Sequence, residues 1–237
     1  MKYADHWFFV PDSSSKEVSF PSEEAVHAAK VLRLQVGDGI QWLNGKGVRY
    51  TGKITVIDKR SLIATVTSSI IDPQVVATVL AVGQLHDASR MEWLVEKATE
   101  LGVTELLLMR TDRVERTRYK LSRLKSKAIS AVKQSGRSWV PRIREVSFLE
   151  ALDLCKEYEN CLLAHCYTDL TRNGDWKPVS SAHSACLFIG PEGDFTRTEV
   201  EQANKTGIIE SISLGKARLR TETAAIAALV RLRNLGV

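Results

Sequence analysis

Several features are missing from this 237-residue chain, and each absence excludes something. Its four cysteines are Cys155, Cys161, Cys166 and Cys186, and no two of them form a C-x-x-C pair. Zinc-type spacing is therefore lacking, and a chain with 44% hydrophobic residues needs no disulfide framework to hold a core. The cysteines read as small buried hydrophobes, and no metal site is expected. No apolar run approaches the roughly 18 residues of a membrane span, so no membrane partner is expected. No signal-type apolar core follows Met1–His6, which points to the cytoplasm. Neither G-x-G-x-x-G nor G-x-x-x-x-G-K-[ST] occurs, which argues against a Rossmann dinucleotide site and a P-loop. Internal repeats and low-complexity tracts are also missing.

The net charge is +5, and its distribution carries more than its size. Between Arg110 and Arg144 there are twelve Lys or Arg against two acids, Asp112 and Glu115. Such a concentration is either a footprint for phosphates or a solvated helix face.

The first seventy residues read as β-rich. Expected elements are a strand at Trp7–Val10, a helix at Glu23–Leu32, and strands at Gly39–Leu43, Val48–Ile57 and Ser61–Thr67. Asn44–Gly47 supplies hairpin-turn residues. Short strands with tight turns suggest a small barrel. Asp72-Pro73-Gln74 is a boundary, which gives domains at 1–72 and 73–237. Beyond it, strands and helices alternate. Val75–Val82 is a continuous apolar run, as in a strand buried on both faces, and Met91, Leu94, Val95, Ala98 and Leu101 form a helical stripe. Glu105–Met109, Cys161–Ala164, Ala185–Ile189 and Ile208–Ser213 read as further strands. Helices are expected near Tyr119–Ser135, Leu149–Tyr158 and Thr221–Leu235. Thr196-Arg197-Thr198-Glu199 is a capping box, flanked by Phe195 and Val200 as a hydrophobic staple, and Gly207 stops that helix. The expected class is α/β with a mostly parallel sheet.

Two glycine loops lie at carboxyl ends of strands, where open α/β sheets bind ligands: Gly190-Pro191-Glu192-Gly193, and Leu214 to Thr223 around Gly215. Glycine permits positive φ and close backbone approach. A lone loop of this kind is as well explained by a tight turn. Gly190–Gly193 also fits the G-x-x-G of KH domains, but a KH loop joins two helices, and this one follows a strand.

At these loops the chain resembles the RsmE family of the SPOUT methyltransferase superfamily. His27–Asp38 (HAAKVLRLQVGD) and Asn44–Tyr50 resemble its amino-terminal PUA-like β-barrel. Arg90–Leu94 and EKATELGV at 96–103 resemble its first long helix, and Gln134-Ser135-Gly136-Arg137 its Q-S-G-R element. Ile189–Phe195 and Leu214–Ala224 resemble its two cofactor loops. Two departures stand out: Asp194 stands where the family usually has a second glycine, and Ala217-Arg218 where it usually has Arg-Ile.

The resemblance implies a trefoil-knotted parallel sheet, a homodimer, and S-adenosylmethionine as the methyl donor. It implies methylation of uridine N3 in 16S ribosomal RNA of the small subunit. Cofactor-binding candidates are His165, next to the end of the strand at Cys161–Ala164, and, on the first loop and the strand before it, Ile189, Gly190, Pro191, Glu192 and Gly193. Those on the second are Ser213, Leu214, Gly215, Leu219, Thr221, Thr223 and Ala224. Arg220 is the candidate for polarising the base, and Glu192 and Glu222 are candidate bases. Arg33, Arg49, Arg113, Arg116, Arg118 and Arg137 are the expected RNA contacts. A SPOUT enzyme acting on another RNA and a non-catalytic RNA-binding protein remain the alternatives.

Overall fold

The computed structural model describes residues 3–13, 16–114 and 119–234. They form two compact units, 1–74 with 129–140, and 75–128 with 141–237. The sequence reading puts its single boundary near Asp72; residues 129–140, the end of the basic helix and the segment after it, group with the first unit.

The first unit holds β1 (Tyr3–Phe9), β2 (Glu17–Ser19), α1 (Ser22–Val26), β3 (Gly39–Leu43), β4 (Val48–Ile57) and β5 (Leu62–Ile71). They pair in the order β1-β3-β4-β5-β2, with β1 and β2 at the ends of a mixed five-stranded sheet. Only β1 and β3 run parallel. Where a small barrel is expected, the described residues form this five-stranded sheet. β2 is too short to have been legible, and β5 runs four residues beyond the expected strand end.

The expected helix at 23–32 is α1 followed by a π-helical turn, His27–Val31, in which the Leu32 amide donates to the His27 carbonyl at 3.1 Å. Asn44 Oδ1 accepts the Lys46 and Val48 amides and fixes the β3–β4 turn. The core is Phe8, Phe20, Ile40, Trp42, Ile54 and Leu62. Trp42 is fully buried, stacked on Tyr50 with centroids 5.5 Å apart, and its Nε1 donates to Ser13 at 3.1 Å.

The second unit is a six-stranded, wholly parallel sheet. Its strands are β6 (Thr78–Gly83), β7 (Glu105–Arg110), β8 (Arg142–Ser147), β9 (Asn160–Ala164), β10 (Ala185–Ile189) and β11 (Ile209–Ile212). The order is β11-β9-β10-β6-β7-β8. Helices α2 (Ala88–Glu100), α3 (Leu121–Ser135), α4 (Phe148–Cys155), α5 (Arg197–Lys205) and α6 (Thr221–Arg233) accompany it. One face packs Leu80, Val82, Leu106, Leu108, Leu187 and Ile189 with residues of α2, α3 and α6. The other packs Val79, Ala81, Leu107, Cys186 and Phe188 with residues of α4 and α5. Burial on both faces explains why these strands read as unbroken apolar runs.

The capping box of α5 is formed as expected. Thr196 Oγ1 accepts the Glu199 amide at 3.2 Å, Glu199 accepts the Thr196 amide at 2.7 Å, and Phe195 and Val200 are fully buried. Gly207, at φ +71°, ends the segment. The apolar run at 75–82 enters the sheet only at Thr78, and Val75 and Val76 stay exposed. β8 was hidden inside the basic segment, because its alternating Arg-Ile-Arg-Glu-Val-Ser belongs to an edge strand. Cys155, Cys161 and Cys186 are buried, whereas Cys166 is exposed and departs from the expectation for all four. Among the described residues, no helix is long and apolar enough to cross a membrane, and no group of three or more His, Cys, Asp or Glu is placed to hold a metal.

Candidate functional site

β9, β10 and β11 end on the same side of the sheet because all are parallel, so the segments that follow them meet. They enclose a cavity of about 490 Å³. Ala164, His165 and Cys166 come from the end of β9, Ile189 to Asp194 from β10 and the first loop, and Leu214, Gly215 and 217–221 from the second. Ala224 on α6, Arg90 on α2 and Arg172 complete the wall. Of the cofactor candidates, His165, Ile189, Gly190, Pro191, Glu192, Gly193, Leu214, Gly215, Leu219, Thr221 and Ala224 line it; Ser213 and Thr223 do not. Ser213 instead bonds within its own loop, to Gly215, and its carbonyl accepts the Trp176 Nε1 proton at 3.1 Å.

The first loop has a definite shape. Gly193 and Asp194 are consecutive residues at positive φ, +99° and +71°. Asp tolerates that region because its short carboxylate bonds locally. Asp194 Oδ1 accepts the Phe195 amide at 2.8 Å, and Oδ2 accepts the Cys166 amide at 2.7 Å. The carboxylate thus ties the loop to the end of β9. Gly83, at the end of β6, was not singled out by sequence reasoning. A Cβ there would sit 2.4 Å from the Pro191 nitrogen, so glycine is what lets the loop lie against the strand.

His165 is 4% exposed. Its Nδ1 accepts the Tyr167 amide at 3.2 Å, which places the ring proton on Nε2, and Nε2 is buried without a partner. Burial pushes the imidazole below its ordinary value, while Asp194 pulls it up and Arg172 down; the ring is neutral at pH 7.

Arg90, like Cys166 and Arg172, lines the cavity although the sequence did not mark it as a site residue. Its Nε and Nη2 donate to the two oxygens of Glu222 at 2.9 and 2.6 Å, and its Nη1 donates to Glu192. The other Glu192 oxygen accepts the His86 amide at 3.2 Å. Burial pushes the Glu222 carboxyl up, but the hydrogen bonds and charge of Arg90 outweigh it and hold the group below its ordinary range. Glu222 does not line the cavity, whereas Arg220 does, is exposed, and enters no ion pair among the described residues.

The basic segment is less free than its sequence suggests. Arg123 and Lys127 pair with Glu92, Lys133 with Glu24, and Arg144 with Glu105. Arg49 pairs with Asp72. Arg113 donates to the Gly193 carbonyl and to Tyr167 Oη. Arg137 is partly buried, and Arg33 is exposed at φ +54°. Arg116 and Arg118 lie outside the described residues.

The family described as RNA methyltransferase domain matches residues 73–233, and the RNA methyltransferase PUA domain matches residues 20–67. The ribosomal RNA small subunit methyltransferase E of Rickettsia conorii is 28% identical, covering 100% of this chain and 97% of that protein. Its Bacillus subtilis counterpart is 26% identical, over 89% of this chain and 87% of that protein. A probable rRNA-methyltransferase structure from Porphyromonas gingivalis superposes with a TM-score of 0.85 at 31% identity, covering 97% of this chain and 99% of that one. A ribosomal RNA small subunit methyltransferase E from Neisseria gonorrhoeae, solved bound to S-adenosyl methionine, gives 0.81 at 28% identity, covering 97% of each chain.

Proposed function

We propose a function from one premise: the chain belongs to the RNA methyltransferase family, with a PUA domain of the RNA methyltransferase type ahead of the catalytic domain. It is an S-adenosylmethionine-dependent ribosomal RNA methyltransferase, and its target is N3 of a uridine in 16S ribosomal RNA of the small subunit. The observation that carries this reading is the convergence of two glycine loops on one cavity at the carboxyl ends of β9, β10 and β11.

The cavity fits an adenosyl ligand. Its volume of about 490 Å³ lies in the range of small-molecule sites, roughly 300 to 1,000 Å³. Nothing lies within 4 Å of where a Gly215 Cβ would be, so that backbone faces open space. The buried, unpartnered Nε2 of His165 adds a polar atom that lacks a protein partner. Ile189 to Gly193 and Leu214, Gly215, Leu219, Thr221 and Ala224 would hold the cofactor, whose chemistry is to supply an electrophilic methyl group. In-line displacement requires N3 to line up with that methyl carbon, so positioning supplies much of the rate. Arg220 places a cation at the mouth, where it favours the deprotonated imide of the target base.

The carboxyl-terminal domain is knotted in this reading. After edge strand β11 the chain returns as α6, which packs against α2 in the middle of the sheet. The 174–183 segment is tied to the end of that helix. Arg231 donates to the Gly174 and Trp176 carbonyls, Arg233 to those of Ser180 and His183, and the Val179 amide to Leu232. The enzyme acts in the cytoplasm as a homodimer. Leu229 is in the core and Ile226 packs against it, so of Ile226, Leu229 and Val230 the partly buried Val230 is the one left for a partner.

Arg33, Arg49, Arg113 and Arg137, with Arg116 and Arg118, serve RNA phosphates. Arg33→Glu is the cleanest test, because that side chain is exposed. Its RNA affinity should fall, and the salt slope should drop by about one unit per lost phosphate contact. An unchanged slope would make Arg33 a solvated surface residue. The activity itself is tested by incubating the purified chain with labelled S-adenosylmethionine and small subunits from a strain lacking the modification. Label is expected in 16S ribosomal RNA; label in another RNA only would favour a different target.

A further inference from the structure

Arg90 belongs to neither glycine loop, yet it reaches both. It lies in the first turn of α2, whose amino terminus is fixed by the Asp87 carboxylate accepting the Ser89 and Arg90 amides at 2.7 and 3.2 Å. Glu222 is the second residue of α6, directly downstream of the second loop, and Glu192 is inside the first. One guanidinium therefore spends three donors on two carboxylates that arrive along different stretches of chain, 102 and 132 residues away. The Arg90 and Glu222 side chains are 24% and 12% exposed, so water screens that pair little, while Glu192 at 39% is the more open partner.

We propose that Arg90 is a positioning residue that fixes the gap between the two cofactor loops, with Glu192 and Glu222 as its anchors and not as proton acceptors. The inference rests on the methyltransferase reading given above. A planar fork can hold one carboxylate through two parallel bonds and still reach a second; a lysine ammonium supplies charge without that geometry. A carboxylate committed to such bonds is a weak base, because taking a proton means giving up the bonds. Arg220, which also acts on Glu222 through space, and Asp87, which acts on Arg90, are the remaining charges of the cluster. Solvent is left as the acceptor of the imide proton.

The test uses Arg90→Gln, Arg90→Lys, Glu192→Gln and Glu222→Gln in the full chain. Cofactor affinity is measured by calorimetry, and kcat at saturating cofactor is followed across pH. Arg90→Gln is expected to weaken affinity by about tenfold to a hundredfold, the equivalent of a lost charge-assisted bond, and Arg90→Lys to recover only part. Both Gln variants of the glutamates are expected to lose affinity while the pH profile of kcat keeps the parent's shape. Either glutamate variant losing the acidic limb of that profile, with affinity unchanged, would overturn the proposal and make that residue the base. Parent-like affinity in Arg90→Gln would overturn it as well. A double-mutant cycle of Arg90→Gln with Glu222→Gln, read by thermal midpoint, needs no cofactor and is expected to show coupling; additive effects would count against the clamp. A parent chain that binds no S-adenosylmethionine would instead sink the methyltransferase reading and leave the cycle to judge the clamp.

Discussion

Valine in place of Gly190 is expected to abolish measurable binding of S-adenosylmethionine while the sheet beneath stays folded. A Cβ at this position would lie 2.8 Å from the Phe195 amide nitrogen, 2.8 Å from Asp194 Oδ1 and 3.0 Å from Asp194 Cα. Two of those three atoms are backbone and cannot rotate away. The loop cannot give way elsewhere without loss. The Asp194 amide donates to the Pro191 carbonyl at 3.0 Å, the Asp194 carboxylate holds the Cys166 amide, and Phe195 is fully buried. Forced overpacking costs roughly 1 to 3 kcal/mol. If the loop meets that cost by swinging out of the cavity, affinity falls on the order of a hundredfold or more. Gly215→Ala makes the comparison. No atom lies within 4 Å of its Cβ position, but its φ of +119° is unfavourable for any side chain, so its penalty is backbone strain. Calorimetry paired with thermal midpoints separates the two effects. Parent-like affinity in Gly190→Val would remove the first loop from the site.

Arg220→Ala is expected to lower kcat by about 10² to 10³, the usual cost of losing one preorganised charge, with cofactor affinity close to the parent's. Arg220 occupies the N-cap position of α6 without making a side-chain cap, so its guanidinium is not spent on the helix. Its nearest acid in sequence, Glu222, is already held by Arg90. In the proposed mechanism the Arg220 cation would lower the pKa of the target imide. Its removal should therefore shift the pH dependence of kcat to higher pH. Lysine should restore part of the rate, since it brings charge without the planar fork. A variant with parent kcat and pH profile that binds RNA less tightly would make Arg220 a phosphate contact only.

What the sequence made legible was local or periodic. The capping box at Thr196 and Glu199 has its signature within four residues, and the strand at Ala185–Ile189 is five apolar residues in a row. Both glycine loops announced themselves because their special backbone angles demand special residues. The illegible parts depend on contacts far apart in the chain. Arg90 looks like any helix arginine until Glu192 and Glu222 arrive beside it. Gly83 looks like a strand end until Pro191 packs on it. β8 was masked because edge strands tolerate charge, and the basic segment looked more exposed than it is because Glu24, Glu92 and Glu105, its ion-pair partners, lie outside it. Trp93 lies in α2 outside the stripe of Met91, Leu94, Val95, Ala98 and Leu101, and is 44% exposed.

The most direct measurement is nucleoside mass spectrometry of 16S ribosomal RNA from a strain deleted for this chain, before and after the purified protein acts on its small subunits. One uridine carrying methyl on N3 is expected to be missing from the deletion strain and to reappear on treatment. Identical 16S ribosomal RNA in parent and deletion strains, or a methyl restored on another atom or another RNA, would contradict the assigned function.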